Sequence, residues 1–374
     1  MRIGIFTAYA DRLERSRPEL LEALKLAGHT VVIIGPEEDP LDASLRSESG
    51  REYQQVPIKR ANTNPLTELL AIRDLVHVFR KVKIDRLLVY GARMQVSVLP
   101  AARLAGVKRL FSVINGAGGH YYLRGLRGKI VRLCSWPMMK VALTLATCVF
   151  FQNTDDRGLY LKQFLVKKRK TKIINGSGVN LQAFPKTPLP SDLKFLMLTR
   201  LASEKGIGEY AQAAQAVKEK YPSAEFHLVG NRDISFANEE AEILDRAIES
   251  GTVLYHGATT EPAKWYQMCR IYVLPSYHEG TPRTVLEALS TGRAIITTDV
   301  PGCRDTIRDG KEGYLVPPQD VSALSNAMIK MIEDSEKTQE MSHCAWERAK
   351  EKYDVYKVNE TLLTELIGEN SNGL

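Results

Sequence analysis

The sequence predicts an α/β protein built from two tandem open parallel sheets, and three observations carry that prediction. Short apolar runs alternate with helical stretches through the first half, and the same alternation starts again near residue 194. Between the two series stands Phe184-Pro185-Lys186-Thr187-Pro188-Leu189-Pro190, whose prolines continue neither a helix nor a central strand. The chain has 374 residues, long for one core and ordinary for two. The expected domains are therefore 1–185 and 186–353, with 354–374 a closing helical segment that packs back on the first.

Taken in order, residues 2–7 read as a first strand, since no apolar stretch of leader type runs from a charged start to a small-residue cleavage site. A helix then runs to Gly28. Strands follow at 29–35 and, briefly, near 53–58; a helix starts at Pro65; a strand at 86–90, another helix and a strand at 108–114 complete the pattern. The run 141–151 is too short to cross a bilayer and reads as a helix end plus a strand at 148–152, with a further strand at 172–174. The second series comprises a strand at 194–200, a helix over 206–221, a strand at 225–230, a helix over 238–250, a strand at 253–257, a short helix, a strand from Ile271 and a strand at 294–298. Beyond Asp320 the chain reads as helices, the last over about 354–367. Open sheets of this kind bind ligands outside the carboxyl ends of their strands.

The segment Tyr277-His278-Glu279-Gly280-Thr281-Pro282-Arg283-Thr284-Val285-Leu286-Glu287-Ala288 places two carboxylates at such an end. The buried strand before it delivers a loop to a helix start, with Thr281 the expected N-cap and Pro282 the first helical residue. Early amides of that helix, from Arg283, Thr284 and Val285 onward, favour an anion such as a diphosphate. Glu287 lies about five residues inside, so at about 1.5 Å rise it sits roughly 7–8 Å from that anion, a distance suited to a ribose. Glu279, in the loop with Gly280, is placed for a group on the far side. A nucleotide-sugar is the simplest molecule with these three parts. Arg200, at a strand's carboxyl end, and Lys205, just before a helix, are the cations able to neutralise its diphosphate. Gly230-Asn231-Arg232-Asp233 and His256-Gly257 both follow strands, which makes Asn231 and His256 with their neighbours candidates to frame the base, with ordinary turns as the alternative.

The apolar fraction of 44% and charged fraction of 25% are those of a soluble globular protein. Cys134, Cys148, Cys269, Cys303 and Cys344 show neither a paired framework nor metal-ligand spacing, which points to reduced thiols in the cytoplasm. The formal net charge is +7, but its distribution matters more. No acidic residue occurs between Asp85 and Asp155, while Arg124, Arg127, Lys129, Arg132 and other cations do, with Lys167-Lys168-Arg169-Lys170 beyond them. This one-sidedness implies an anionic partner for the first half: a membrane surface, a phosphorylated acceptor or nucleic acid. Trp136 among these cations fits interfacial binding. A nucleic-acid module is the remote alternative, because no binding motif or run of stacking aromatics accompanies the charge.

Several motifs resemble glycosyltransferase family four, whose members are retaining enzymes. They are Arg200-Leu201-Ala202-Ser203-Glu204-Lys205-Gly206, the turn Gly176-Ser177-Gly178-Val179-Asn180 followed by Phe184, the Glu279 and Glu287 pair, and Gly292 through Pro301-Gly302. In the first half, Asn115-Gly116-Ala117-Gly118-Gly119-His120 looks like the glycine-rich acceptor loop of a bacterial subgroup that extends undecaprenyl-diphosphate-linked sugars. The loop Ala8-Tyr9-Ala10 departs from the paired glycines of many relatives. The resemblance implies the GT-B fold, two facing Rossmann-like domains with open parallel sheets. It also implies a UDP-sugar donor and a lipid-linked saccharide acceptor, with no metal, no other cofactor and no nucleic acid. Arg200 and Lys205 then hold the donor diphosphate, Glu287 the ribose and Glu279 the transferred sugar, while His120 is either a catalyst or a packing residue. The expected setting is the cytoplasm, peripheral on an anionic membrane at the inner face. A transferase for a metabolite or a lipopolysaccharide core is the alternative.

Overall fold

The computed structural model describes residues 1–36, 51–56, 58, 65–116, 125–233, 236 and 239–368. The chain divides into two compact units, Met1–Ser177 with Asn359–Leu374, and Gly178–Val358. The division falls ahead of the proline stretch for a physical reason. The segment after Ser177 is fastened to the second unit: Phe184 lies in its core, Ser290 Oγ donates to Phe184 O at 2.6 Å, and the fully buried Arg293 donates to Pro188 O at 3.1 Å.

The first unit holds a parallel sheet of seven strands: β1 (Arg2–Phe6), β2 (Thr30–Pro36), β3 (Glu52–Val56), β4 (Arg86–Tyr90), β5 (Arg109–Ile114), β6 (Cys148–Phe151) and β7 (Thr171–Ile173), in the order β3-β2-β1-β4-β5-β6-β7. Past their opening arginines, the central strands β1, β4 and β5 are apolar but for Ser112, because both faces are covered. On one face Phe6, Val32, Val89 and Phe151 meet Leu75 and Phe79 of α3 (Pro65–Val82), Val98 and Leu99 of α4 (Gln95–Leu104) and Met139 and Leu143 of α5 (Gly125–Leu145). On the other, Ile3, Ile5, Ile33 and Phe111 meet Leu20, Leu21 and Leu24 of α2 (Pro18–Leu26). The helix expected from the first strand to Gly28 is in fact two, α1 (Ala10–Ser16) and α2. Pro18 removes a helical amide and disfavours the helical region for Arg17, which stands at φ −139° and ψ 38° between the two helices. Beyond β6, α6 (Thr154–Lys162) is capped by Asn153, whose side chain accepts from Asp156 N–H.

The second unit repeats the plan with six strands: β8 (Lys194–Leu198), β9 (Glu225–Val229), β10 (Leu254–Tyr255), β11 (Ile271–Leu274), β12 (Ala294–Thr298) and β13 (Gly313–Val316), ordered β10-β9-β8-β11-β12-β13. Its helices are α7 (Ile207–Lys220), α8 (Glu239–Glu249), α9 (Pro262–Met268), α10 (Arg283–Thr291), α11 (Val321–Glu333) and α12 (Ser335–Arg348). Strand β13 has no counterpart among the expected strands: it is an edge strand of four residues that opens on a glycine. The last helix, α13 (Val355–Ile367), begins in the second unit and continues into the first, where Leu362, Leu363, Leu366 and Ile367 cover the face holding Ile3 and Ile5. Arg86 donates to Leu366 O and Lys172 pairs with Glu365, which fastens it there. Among the described residues no helix is long and apolar enough to cross a membrane.

Candidate functional site

Each sheet reads 3-2-1-4-5-6 in its own strand numbering, with a seventh strand added in the first unit, and in such a sheet the chain reverses its direction of winding beside the first strand. In the second unit that point lies between β8 and β11, so the loops after these two strands flank the crevice. The loop after β8 carries Arg200 and Lys205; the loop after β11 carries Glu279.

Backbone contacts stitch the two loops together. Tyr277 N–H and Ser276 Oγ donate to Glu204 O at 2.9 and 3.0 Å. Gly206 holds φ +72°, and a Cβ there would stand 2.2 Å from Pro275 O, so the approach of the loops requires glycine. Glu279 N–H in turn donates to Pro301 O at 3.2 Å. The result is a contact between two predicted residues: Lys205 Nζ donates to Glu279 Oε1 at 2.6 Å, with side chains only 14% and 16% exposed.

Arg200 is more exposed and is held by two carboxylates, Glu204 at 2.9 Å and Asp233. Asp233 arrives through the loop after β9, where Leu201 N–H donates to Asn231 O at 2.8 Å and Asp233 N–H to Leu201 O at 2.9 Å. Neither acid is expected from sequence as a partner of Arg200: Glu204 stands four residues on in the same motif, which is a signal, whereas Asp233 ends the stretch expected near the base and pairs with Arg200 instead.

Glu287 does not join the Lys205 pair. It is 5% exposed, one turn inside α10, where Oε2 accepts from Tyr266 OH at 2.9 Å and Oε1 from Arg283 Nε at 2.8 Å. Burial raises its carboxyl above the ordinary value, and Arg283 and Tyr266 oppose that rise in part. The helix start also differs from expectation. Pro282, with ψ 111°, is the N-cap residue, Thr281 lies before it, and no side chain caps the helix. Val285 is fully buried and its amide donates to Pro282 O at 3.1 Å, which removes it from the anion-facing set. Gly280, Thr281 and Thr284 are half-buried around this start.

Asn231 is exposed after β9. His256 is exposed too, but its ring is engaged: Nε2 lies 3.0 Å from His227 Nδ1, and the ring centroid is 4.4 Å from Trp265 of α9. Desolvation lowers the pKa of both histidines and so favours their neutral forms, with Glu225 opposing that at His227.

In the first unit Asn115 is exposed after β5 and its Oδ1 accepts from Gly91 N–H at 3.0 Å, tying the loops after β4 and β5 together; Gly116 follows with φ +106°. Gly118, His120 and Arg124 lie outside the described residues, as do the side chains of Arg127, Lys129 and Arg132. Trp136 is half-buried and packs against the core of the unit, because it stands on the inward side of α5. That placement argues against the interfacial role expected of it.

Residues 192–334 match the family Glycosyl transferases group 1, and residues 13–176 match the Glycosyl transferase 4-like domain. The chain is 28% identical over 348 residues to the N,N'-diacetylbacillosaminyl-diphospho-undecaprenol alpha-1,3-N-acetylgalactosaminyltransferase of Campylobacter jejuni, covering 89% of this chain and 90% of that protein. It is 24% identical over 314 residues to the UDP-Gal:alpha-D-GlcNAc-diphosphoundecaprenol alpha-1,3-galactosyltransferase of Escherichia coli, covering 80% and 78%. Among solved structures it is similar to sucrose-phosphate synthase from Thermosynechococcus elongatus, with TM-score 0.79, 21% identity and 97% of both chains covered. It is also similar to HepE of Anabaena in complex with UDP and glucose, with TM-score 0.76, 17% identity, and 99% and 100% covered. At these identities the structural likeness establishes the fold. The chain belongs to the group 1, 4-like glycosyltransferases and has the GT-B fold.

Proposed function

We propose that this transferase moves a hexosamine or hexose, N-acetylgalactosamine in the first instance, from a UDP-sugar to a saccharide carried on polyprenyl diphosphate, with retention. It works as a peripheral protein at the cytoplasmic face of the membrane. The observation that carries the reading is the Lys205–Glu279 pair at the point where the second sheet reverses, with Arg200 on the neighbouring loop. The activities for which the Campylobacter and Escherichia relatives are named support a lipid-diphosphate acceptor.

In the proposed step the bond between the sugar C1 and the β-phosphate oxygen breaks while the acceptor hydroxyl oxygen bonds C1 on the same face. The hydroxyl proton passes to an oxygen of the departing diphosphate. Lys205 and Arg200 stabilise the charge that grows on that diphosphate. Glu279 directs Lys205 through one oxygen and accepts a sugar hydroxyl through the other, and Glu287 takes the ribose hydroxyls. Neutralisation by side chains assigns no step to a metal.

The test is incubation with a panel of UDP-sugars and lipid-linked acceptor, with and without EDTA. Sugar transfer with UDP release, undiminished by EDTA, is expected. No transfer and no UDP release across the panel would overturn the reading, and loss of rate in EDTA would overturn its metal-free part.

A further inference from the structure

Helix α6 ends in two backbone bonds, Phe164 N–H to Leu161 O and Leu165 N–H to Tyr160 O, both 3.0 Å. These are the bonds of a Schellman turn, whose residue after the cap takes the left-handed conformation and is usually glycine. Here that residue is Phe164, with φ +54°, and its side chain is 78% exposed. A bulky residue is strained in this region of backbone space, and a phenyl ring in water forgoes its burial. Leu165 and Val166, next in sequence, turn into the core, but Phe164 does not. Two unfavourable choices thus coincide at a position where glycine would complete the same turn.

The surroundings are cationic. Lys167, Lys168 and Arg169 follow, all exposed. Lys170 Nζ donates to Thr144 O and Ala146 O at 2.7 Å each, which fixes the basic turn against the end of α5. The Lys170 ammonium lies below its ordinary pKa through burial and then through Arg169, Lys167 and Arg103. Between the ends of α5 and α6 a groove of about 640 Å³ is lined by Lys140, Leu143, Leu161, Phe164 and these cations, with no acidic side chain in its lining. On α5, Leu133 and Val141 are 76% and 60% exposed. The groove opens where α5 leads into β6 and the basic turn leads into β7, at the amino ends of those strands. It is therefore separate from the loops at the carboxyl ends, where Asn115 and Gly116 lie.

We propose that Phe164, with Lys140, Lys167, Lys168 and Arg169, docks this protein on an anionic phospholipid bilayer. The phenyl ring enters the acyl boundary and the cations meet headgroup phosphates. Cations alone serve any polyanion; an exposed ring set among them on a rigid turn matches a surface whose apolar and anionic layers lie at different depths. The inference deepens the lipid-linked reading above and rests on it for its biological setting.

The test is flotation of the full chain with vesicles of phosphatidylglycerol and phosphatidylethanolamine, against phosphatidylcholine alone, without acceptor. Wild type floats with the anionic vesicles only. Phe164→Gly, which relieves the left-handed strain, raises the melting temperature by a degree or more and lowers vesicle affinity at least tenfold. Lys167→Gln with Lys168→Gln and Arg169→Gln lowers it about a hundredfold. Both variants keep the wild-type rate on a short-chain, water-soluble acceptor. Undiminished flotation of Phe164→Gly, equal binding to neutral vesicles, or binding to RNA in place of vesicles would overturn the inference. Sugar transfer by a protein that does not float sinks the docking surface and spares the enzyme reading; flotation that needs Phe164, without sugar transfer, does the reverse.

Discussion

Lys205 and Glu279 stand 2.6 Å apart with both side chains mostly covered, so each supplies the other's counter-charge before any donor arrives. An ammonium has three protons, and the two not given to Glu279 are available to phosphate oxygens. Removing one partner strands a partly buried charge. Lys205→Ala and Glu279→Ala are each expected to lower stability by about 1–3 kcal/mol and to abolish transfer. The double variant recovers part of the stability and none of the rate. Urea unfolding beside the transfer assay checks this, and strictly additive losses would show the pair to be uncoupled. Glu287 gives a prediction with a pH signature. Its carboxyl is raised by burial, so the stability tied to its protonated form is complete below the ordinary carboxylate range and is lost as pH rises through the raised value. Glu287→Gln cannot ionise. Its melting temperature, relative to wild type, therefore climbs between pH 4 and pH 8 while UDP affinity falls about tenfold or more, as expected for a lost charge-assisted bond. A flat difference across that range would contradict the buried-charge account. The sequence showed which residues carry charge at a strand end; it did not show Tyr266 beneath Glu287 or Asp233 beside Arg200, because those contacts join positions far apart along the chain.

At the scale of elements, the loops after β8 and β11 act as one body because glycine lets them touch. Gly206→Ala meets Pro275 O at 2.2 Å in a left-handed backbone, so it is expected to lose about 2–4 kcal/mol and to shift Lys205 next door. Gly251→Ala is the control: φ is +69° but nothing lies within 4 Å of the added carbon, so only about 1 kcal/mol is lost and transfer is unchanged. Calorimetry and kcat on the two variants separate conformational strain from loop displacement; equal losses would remove the special role of the Pro275 contact. Strands such as β4 and β12 were legible to the residue because a continuous short apolar run between two helices rarely forms anything but a buried strand. Edge strand β13 was not, since four residues, two buried and two half-buried, leave little pattern. The start of α10 moved by one residue because Thr281 offers a capping hydroxyl in sequence while Pro282 takes the capping conformation in space. Phe164 shows the same limit: nothing in Gln163-Phe164-Leu165 announces a left-handed backbone.

For the whole molecule, the double α/β plan followed from alternation alone, while the division at Ser177 followed from contacts that proline spacing cannot reveal. The same contacts give the C-terminal helix its importance. Leu362, Leu363, Leu366 and Ile367 are buried against the first sheet, and at about 1.5–3 kcal/mol each they contribute about 6–12 kcal/mol. That equals the net stability of an ordinary domain, about 5–15 kcal/mol. A chain ending at Val358 is thus expected to leave Ile3, Ile5 and Phe111 open to water, to bind an apolar dye and to lose the cooperative unfolding of the first unit. Hydrogen exchange that leaves β1 as protected as in the full chain would refute this.

The arrangement of α13 also sets an order of events during synthesis. A ribosome releases the sheet of the first unit before the helix that closes it, with the whole second unit made in between, so the earlier part waits for the later one. A nascent chain paused within the second unit, before α13 has emerged, would present bare sheet to chaperones.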